Sequence, residues 1–269
     1  MQYDPIKRSL GSVFNRTPFL RILFYRMLDL LLLRAWHVKK EIRHWARGRR
    51  GKLRLLDAGS GFGQYTYFLS GLDKSWTVEA LDVKEEQIAD CNAFFERIGK
   101  RNALFEVADL TRFSKPDTFD LILSVDVMEH ILEDEQVFRN FYDSLTQEGM
   151  LLISTPSDQG GSDVHEHGEE QSFIDEHVRD GYNIGEIQVK LGRAGFTRTD
   201  ARFTYGKPGR IAWLLSMKIP IRILSLSRLF FILLPFYYLL AFPFCLLCNY
   251  LDVRTAHATG TGLIVKAYK

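Results

Sequence analysis

The stretch Asp57-Ala58-Gly59-Ser60-Gly61-Phe62-Gly63 sets three glycines at alternate positions directly behind an acid. Glycine admits left-handed backbone angles and lets a ligand approach without a Cβ in the way. The residues before it, Leu53 to Leu56, form a short apolar run, and Gln64 and Tyr65 begin a helical pattern. A helix N-terminus offers free N–H groups to a phosphate or carboxylate. The turn is therefore suited to an anionic, nucleotide-like cofactor at the carboxyl end of a strand. A dinucleotide fingerprint needs its last glycine one position later, where Gln64 stands. A glycine-rich turn without any cofactor is the plainer alternative, and the downstream residues decide between them.

Those residues are acids at successive strand ends. Asp82 closes Thr77-Val78-Glu79-Ala80-Leu81, Asp109 follows Val107-Ala108, and Asp126 follows Ser124-Val125. A carboxylate placed like Asp82 can accept ribose hydroxyls. Each acid alone reads equally as a solvated loop residue or a helix cap. In combination, Asp-Ala-Gly-Ser-Gly-Phe-Gly and the later strand-end acids resemble the class I S-adenosylmethionine (SAM) methyltransferases, of the ubiquinone/menaquinone small-molecule type. The resemblance implies a cofactor site for SAM built from Asp57, Gly59, Ser60, Gly61, Gly63, Asp82, Val83, Asp109, Leu110 and Asp126. Within it Asp57 lies near the methionine amino end, Asp82 at the ribose and Asp109 at the adenine.

The run Asp126-Val127-Met128-Glu129-His130 also resembles the acid-x-x-Glu-His cluster of the ubiquinone O-methyltransferases. Such side chains can hold a divalent ion, although the Glu-His pair also occurs where no metal binds; no metal ligands are assigned here. A base assists when the acceptor is a neutral hydroxyl or amine. His130, His165 and His167 are the candidates for it. His165 and His167, with Glu166, His177 and Tyr182, lie in or near a long polar segment after the fifth strand. A mobile loop with solvated histidines is the competing reading there.

The elements that must position these residues alternate from Leu53 onward. Strands are expected at 53–58, 77–82, 103–108, 119–125 and 150–155, then at 196–205 and 262–268. Helices are expected at 64–71, 84–99, 133–146 and 183–194. Alternation with short connections predicts an α/β, Rossmann-like parallel sheet covered by helices on both faces. The resemblance implies seven strands, the last antiparallel to the others and paired with the sixth.

Around that core, 269 residues with a net charge of only +2 divide unevenly. Residues 1–54 carry fourteen Lys/Arg and three Asp/Glu, residues 55–205 thirteen and twenty-nine, and residues 206–258 six and one. Two basic, apolar segments thus bracket an acidic middle, which points to an anionic surface as partner. The boundaries expected are 1–52 for an N-terminal basic amphipathic helical segment, 53–205 for the SAM-binding core, 206–259 for a hydrophobic insertion and 260–269 for the last strand. The N-terminal segment reads as helices capping the sheet and pocket, as an interfacial helix with cations at headgroup level, or as both. No secretory leader is expected, and three cysteines are too few for a disulfide framework. Cys245 and Cys248 read as small hydrophobes rather than a metal or redox pair.

Leu229 to Cys248 is twenty residues without a charge, long enough to span a bilayer. A single crossing would separate the last strand from its sheet, so the segment must lie in the interface or enter and return. Pro235 and Pro243 are expected to break a straight helix there. A buried dimer interface is the other use for so large an apolar surface. Nucleic acid is excluded as partner, because the positive charge is threaded through Leu/Phe runs. The function expected is a membrane-associated SAM-dependent methyltransferase acting on a lipid-like or other hydrophobic small molecule, at the cytoplasmic side. The alternatives are a soluble small-molecule methyltransferase that dimerises through the insertion, and a SAM-binding membrane tether without turnover.

Overall fold

The structure is a computed structural model, and it describes residues 17–160, 178–226 and 233–269. Seven strands form one sheet: β1 (Arg54–Ala58), β2 (Thr77–Asp82), β3 (Ala103–Val107), β4 (Phe119–Val125), β5 (Leu145–Pro156), β6 (Arg198–Thr204) and β7 (Gly262–Tyr268). Their order is β3-β2-β1-β4-β5-β7-β6. β7 runs antiparallel to both β5 and β6, and the other pairings are parallel. The central strands are buried on both faces, which explains their unbroken apolar runs, such as Leu121 to Leu123 and Leu151 to Ile153. β5 begins earlier than its apolar run, because a register shift lets Leu145 pair with Phe119 ahead of the Met150–Leu121 pair.

Helices α3 (Gln64–Leu69), α4 (Glu85–Arg97), α5 (Asp134–Ser144) and α6 (Ile184–Ala194) connect the strands. One core, centred on Phe138, Phe141, Leu191 and Val265, fills the α5/α6 side. A second, with Val38, Ile42, Trp45 and Trp76, fills the opposite side. The chain leaves β1 towards β2 and β3 in one direction, and resumes at β4 towards β5 in the other. The carboxyl ends of β1 and β4 therefore flank the switch point, where open α/β sheets bind ligands.

Two N-terminal helices precede the sheet, α1 (Pro18–Leu31) and α2 (Leu33–Ala46), broken at Leu32, which is extended. Thr17 caps α1 by accepting from the Leu20 N–H, and Pro18 occupies the first turn, where no N–H is needed. These helices cap the sheet. Two of the cations expected at headgroup level are instead buried: Arg21 pairs with Asp90, and Lys39 pairs with Asp29. Burying a charge is tolerated only with such a partner. The outer face of α1 still exposes Phe19, Leu23, Met27 and Leu30.

Between β6 and β7 the chain makes a helical hairpin. The outgoing arm is α7 (Lys207–Trp213), a π-helical turn at Leu214–Lys218 and α8 (Ile219–Leu226); the returning arm is α9 (Leu234–Arg254). The hydroxyls of Tyr237 and Tyr238 donate to the carbonyls of Leu215 and Ser216 at 2.6 and 2.8 Å, tying the arms together. The two prolines do not break α9, contrary to expectation. Pro235 sits in its first turn, and Pro243 is accommodated inside it. Cys245 and Cys248 are buried against Ala212 and serve as small hydrophobes.

The foot of this hairpin is a buried carboxylate. Asp252, fully buried, lies 2.8 Å from His37 Nε2 and accepts from the N–H groups of Gly209 (2.9 Å) and Tyr205 (3.2 Å). His257 Nε2 lies 3.2 Å from its other oxygen. Burial alone would raise the Asp252 pKa, but the His37 hydrogen bond and the nearby His257 hold it below the ordinary value. Burial pushes the His37 pKa down.

Candidate functional site at the switch point

The glycine turn leaves β1 in three left-handed steps, with φ of 85°, 50° and 78° at Gly59, Gly61 and Gly63. The N–H groups of Gly59 and Ser60 both donate to the Leu81 carbonyl at 2.8 Å, and the Gly61 N–H donates to Asp82 Oδ2 at 2.9 Å. Two of the glycines are required by the protein's own packing. A Cβ on Gly59 would lie 2.2 Å from Val127 Cγ2, and one on Gly63 would press on the Phe105 ring and Cys91 Sγ. A Cβ on Gly61 would meet nothing within 4 Å. The turn is thus a cradle whose middle glycine faces open space, at the height where a nucleotide-like cofactor would rest. The Ser60 hydroxyl is buried there without a hydrogen-bond partner. These residues fit the cofactor that the sequence implies.

The strand-end acids differ in their surroundings. Asp57 is almost fully buried and accepts from Thr66 Oγ1 at 2.6 Å. Burial raises its pKa to about 6, opposed by the Thr66 hydrogen bonds and reinforced by the charge of Asp82. Asp82 receives Gly61 N–H on one oxygen and Lys84 N–H, at 3.0 Å, on the other. Val83, next to it, is exposed, and Leu110 is buried. Asp109 is exposed, and its Oδ1 accepts from the Thr111 N–H and hydroxyl, which holds its carboxyl below the ordinary range. Asp126 follows β4 with a left-handed φ of 51°, an unusual state for a residue with a side chain.

The N-terminal helices reach the glycine turn through polar side chains. Arg21 donates to the carbonyl of Phe62 at 3.0 Å, inside the glycine turn, and the Tyr25 hydroxyl donates to the same carbonyl. The Arg21–Asp90 pair at 2.5 Å holds the arginine in place. From the start of α2, Arg34 forms an ion pair with Asp126, while its backbone N–H donates to the Tyr205 hydroxyl at 3.0 Å. The Tyr65 hydroxyl lies beside the Arg34 guanidinium. An arginine such as Arg21 between Leu20 and Ile22 was the available hint, since a charge on an apolar helix face needs a buried partner.

His130 lies on an exposed 3₁₀ turn (Met128–His130) after β4. The neighbouring Glu129 is buried and accepts from Thr155 Oγ1 at 3.0 Å. With Asp126 turned to Arg34, the Asp126-Glu129-His130 run is not drawn together, and no metal-binding group of three side chains occurs among the described residues. His165, Glu166, His167 and His177 lie outside the described residues. Tyr182 does not face an acceptor: it is fully buried, and its hydroxyl donates to Asp134 Oδ2 at 2.7 Å.

Residues 55–149 match the family model described as a methyltransferase domain. That stretch is a methyltransferase domain, and the sheet around it has the class I SAM-dependent methyltransferase fold. Among curated relatives, the malonyl-[acyl-carrier protein] O-methyltransferase of Bacillus anthracis is 30% identical over 113 residues, covering 42% of this chain and 41% of the relative. The phosphoethanolamine N-methyltransferase of Triticum aestivum is 30% identical over 145 residues, covering 53% of this chain and 28% of the relative. The match spans less than half the length of these relatives. Among solved structures, phosphoethanolamine N-methyltransferase 2 of Haemonchus contortus in complex with SAM aligns with a TM-score of 0.60 at 17% identity, over 97% of this chain and 59% of that one. A SAM-dependent methyltransferase from Mesorhizobium loti aligns with a TM-score of 0.53 at 19% identity, over 86% and 96%. Both likenesses show the fold alone.

Proposed function

We propose that this methyltransferase transfers the SAM methyl group to an oxygen or nitrogen of a hydrophobic or lipid-like small molecule, working at the cytoplasmic face of a membrane. The observation that carries the reading is the open glycine cradle at the switch point, with Asp57 buried at its base and Asp82 bound to its middle glycine. When bound there, SAM supplies a methyl group already activated by its sulfonium. The protein's task is then to bind and orient two reactants. Gly59, Ser60, Gly61 and Gly63 shape the cradle. Asp57 serves the methionine amino end, directly or through water, and Asp82 the ribose. Asp109, with Val83 and Leu110, lines the base. His130 is positioned on an accessible turn to take a proton from a neutral acceptor, and His165 and His167 are the further candidates for that role.

The four-part division serves this reading: residues 1–52 cap, 53–205 bind the cofactor, 206–259 attach to the membrane, and 260–269 close the sheet. The hairpin supports membrane attachment. α9 is the one helix among the described residues long and apolar enough to cross a bilayer by composition, and most of its surface lies outside the protein core. Leu239 and Leu240 are 74% and 81% exposed. Both ends of the hairpin join strands of one sheet, so it dips into one leaflet rather than crossing. Lys218 and Arg222 on the outgoing arm suit the headgroup level.

Equilibrium dialysis with labelled SAM and with NADH tests the cofactor; selective NADH binding ends this reading. Liposome flotation of the full chain beside a Leu239→Gln/Leu240→Gln variant tests attachment. Equal flotation of the two removes it, and a dimer that the variant dissociates assigns the hairpin to a second copy instead. Turnover with labelled SAM and a lipid extract separates an enzyme from a non-catalytic tether.

A further inference from the structure

We propose that Arg34, Tyr65 and Tyr205 form the binding site for an anionic group of the methyl acceptor, a phosphate or a carboxylate, and that Asp126 holds Arg34 until the acceptor arrives. The inference rests on the methyltransferase reading only in that the site adjoins the cofactor cradle. Three observations place it there. Asp126 is followed by Val127, the residue against which the first glycine of the cradle is packed. Tyr65 begins one residue into α3, the helix that the cradle feeds. Burial pushes the Tyr65 hydroxyl pKa up to about 12, opposed by the charge of Arg34 and reinforced by Tyr205, so the three groups are neighbours.

The chemistry of this group is that of surplus donors. Arg34 has five N–H groups on its guanidinium. Its Nε is buried without a hydrogen-bond partner of good geometry, and so is the Tyr65 hydroxyl. The Tyr205 hydroxyl accepts from the Arg34 backbone N–H, which leaves its own proton to donate. An oxyanion satisfies all three donors, and guanidinium matches phosphate and carboxylate in a bidentate fork. A buried donor left without an acceptor is costly. The Arg34–Asp126 pair itself is within reach of solvent, with side chains 30% and 31% exposed, so an acceptor can exchange for Asp126.

The backbone on both sides is set for this task. Asp126 and Tyr205 each carry a left-handed φ, 51° and 55°, although neither is glycine. Such angles persist where the surroundings over-determine them, and they gather at ligand clamps. Here they aim two side chains at one arginine from β4 and from the end of β6. Arg34 is in turn fixed from behind, because His37, one turn along α2, is anchored to Asp252 at the foot of the hairpin.

The test uses the full chain saturated with S-adenosylhomocysteine, and compares wild type with Arg34→Gln and Arg34→Lys. Inorganic phosphate, malonate and ethanolamine are titrated while the melting temperature is followed, and phosphatidic-acid vesicles are compared with phosphatidylcholine vesicles by flotation. Phosphate or malonate should stabilise the wild type, and Arg34→Gln should weaken that binding by about 10- to 100-fold, with Arg34→Lys between the two. This result supports the site and assigns a dissolved anion. Arg34-dependent binding to phosphatidic acid without a response to dissolved anions also supports it, and assigns a lipid headgroup. Equal anion response in wild type and Arg34→Gln, a response to ethanolamine alone, or no response to any probe overturns the proposal. SAM affinity measured in parallel, with Asp82→Ala as the cofactor-site control, separates the two readings: Asp82→Ala should weaken SAM binding about 10- to 100-fold, whereas loss of the anion response in Arg34→Gln while SAM still binds assigns Arg34 to the acceptor.

Discussion

Replacing Asp57 by Asn should remove a pH dependence from SAM binding. The Asp57 carboxyl is buried beneath the cradle, and burial moves its pKa from 3.8 to about 6. That displacement corresponds to about 3 kcal/mol. Because the folded pKa is raised, the folded state holds the proton more tightly than the unfolded chain does. Ionisation of Asp57 therefore costs stability as pH climbs from about 4 to about 6, and the whole cost is present above that range. A cationic ligand reverses the preference, since the SAM amino and sulfonium groups favour the ionised carboxylate. With a pKa near 6, about nine-tenths of the protein is competent at pH 7 and about a tenth at pH 5. The apparent Kd for SAM should thus weaken about tenfold between pH 7.5 and pH 5, and about half a proton should leave per SAM bound at pH 6. Isothermal titration in buffers of different ionisation enthalpy measures both quantities. In Asp57→Asn the profile should flatten, affinity at pH 7.5 should drop about 10- to 100-fold, and the ligand-free protein should gain up to about 3 kcal/mol at that pH. A wild-type Kd that stays constant across this range, with no proton release, refutes the assignment of Asp57 to the cationic end of the cofactor.

The glycines of the cradle should separate by variant. Gly59→Ala collides with Val127 and should destabilise the fold by about 2–4 kcal/mol, read by chemical denaturation. Gly61→Ala meets only open space, so it should cost about 1–2 kcal/mol of stability while weakening SAM binding at least about tenfold, read by calorimetry. Asp82→Ala frees the Gly61 N–H and removes the proposed ribose partner; dialysis should show SAM affinity down by about 10- to 100-fold, and unchanged affinity refutes the role. Asp252→Ala leaves His37 and two N–H groups without their acceptor and should cost about 3–5 kcal/mol. Because the folded pKa of Asp252 is depressed, the wild-type contribution is present above the unfolded pKa and fades as pH falls; thermal unfolding of wild type and variant should therefore converge towards acid.

The parts of this molecule that were legible in the sequence are those whose signals are local. An apolar run followed by an acid locates β1 to β4, and β2, β4 and β7 occur within the bounds the pattern predicts. The glycine spacing located the cradle because three left-handed residues in seven leave few other uses. The N-terminal helices were legible as helices capping the sheet and pocket, but the side chains through which they reach the site were not. Arg21 reaches Asp90 across 69 residues, and nothing near Arg21 states which acid will receive it. Arg34 and Tyr205 were invisible for the same reason, as each looks like an ordinary cation or aromatic until the fold brings them together. The continuous α9 misled pattern reading for a different reason. A proline in the first turn removes no helical hydrogen bond, and the second, Pro243, stands on an exposed part of a helix that continues past it.

The position of β7 between β5 and β6 fixes the order in which a ribosome delivers this molecule. β6 emerges first and finds its sheet neighbour missing, because the greasy hairpin must be translated before Gly262 to Tyr268 appear. During that interval the nascent chain presents a Leu- and Phe-rich loop on an unfinished domain, and β5 offers an unpaired edge. A surface that takes up the hairpin in that interval would meet it before the sheet closes.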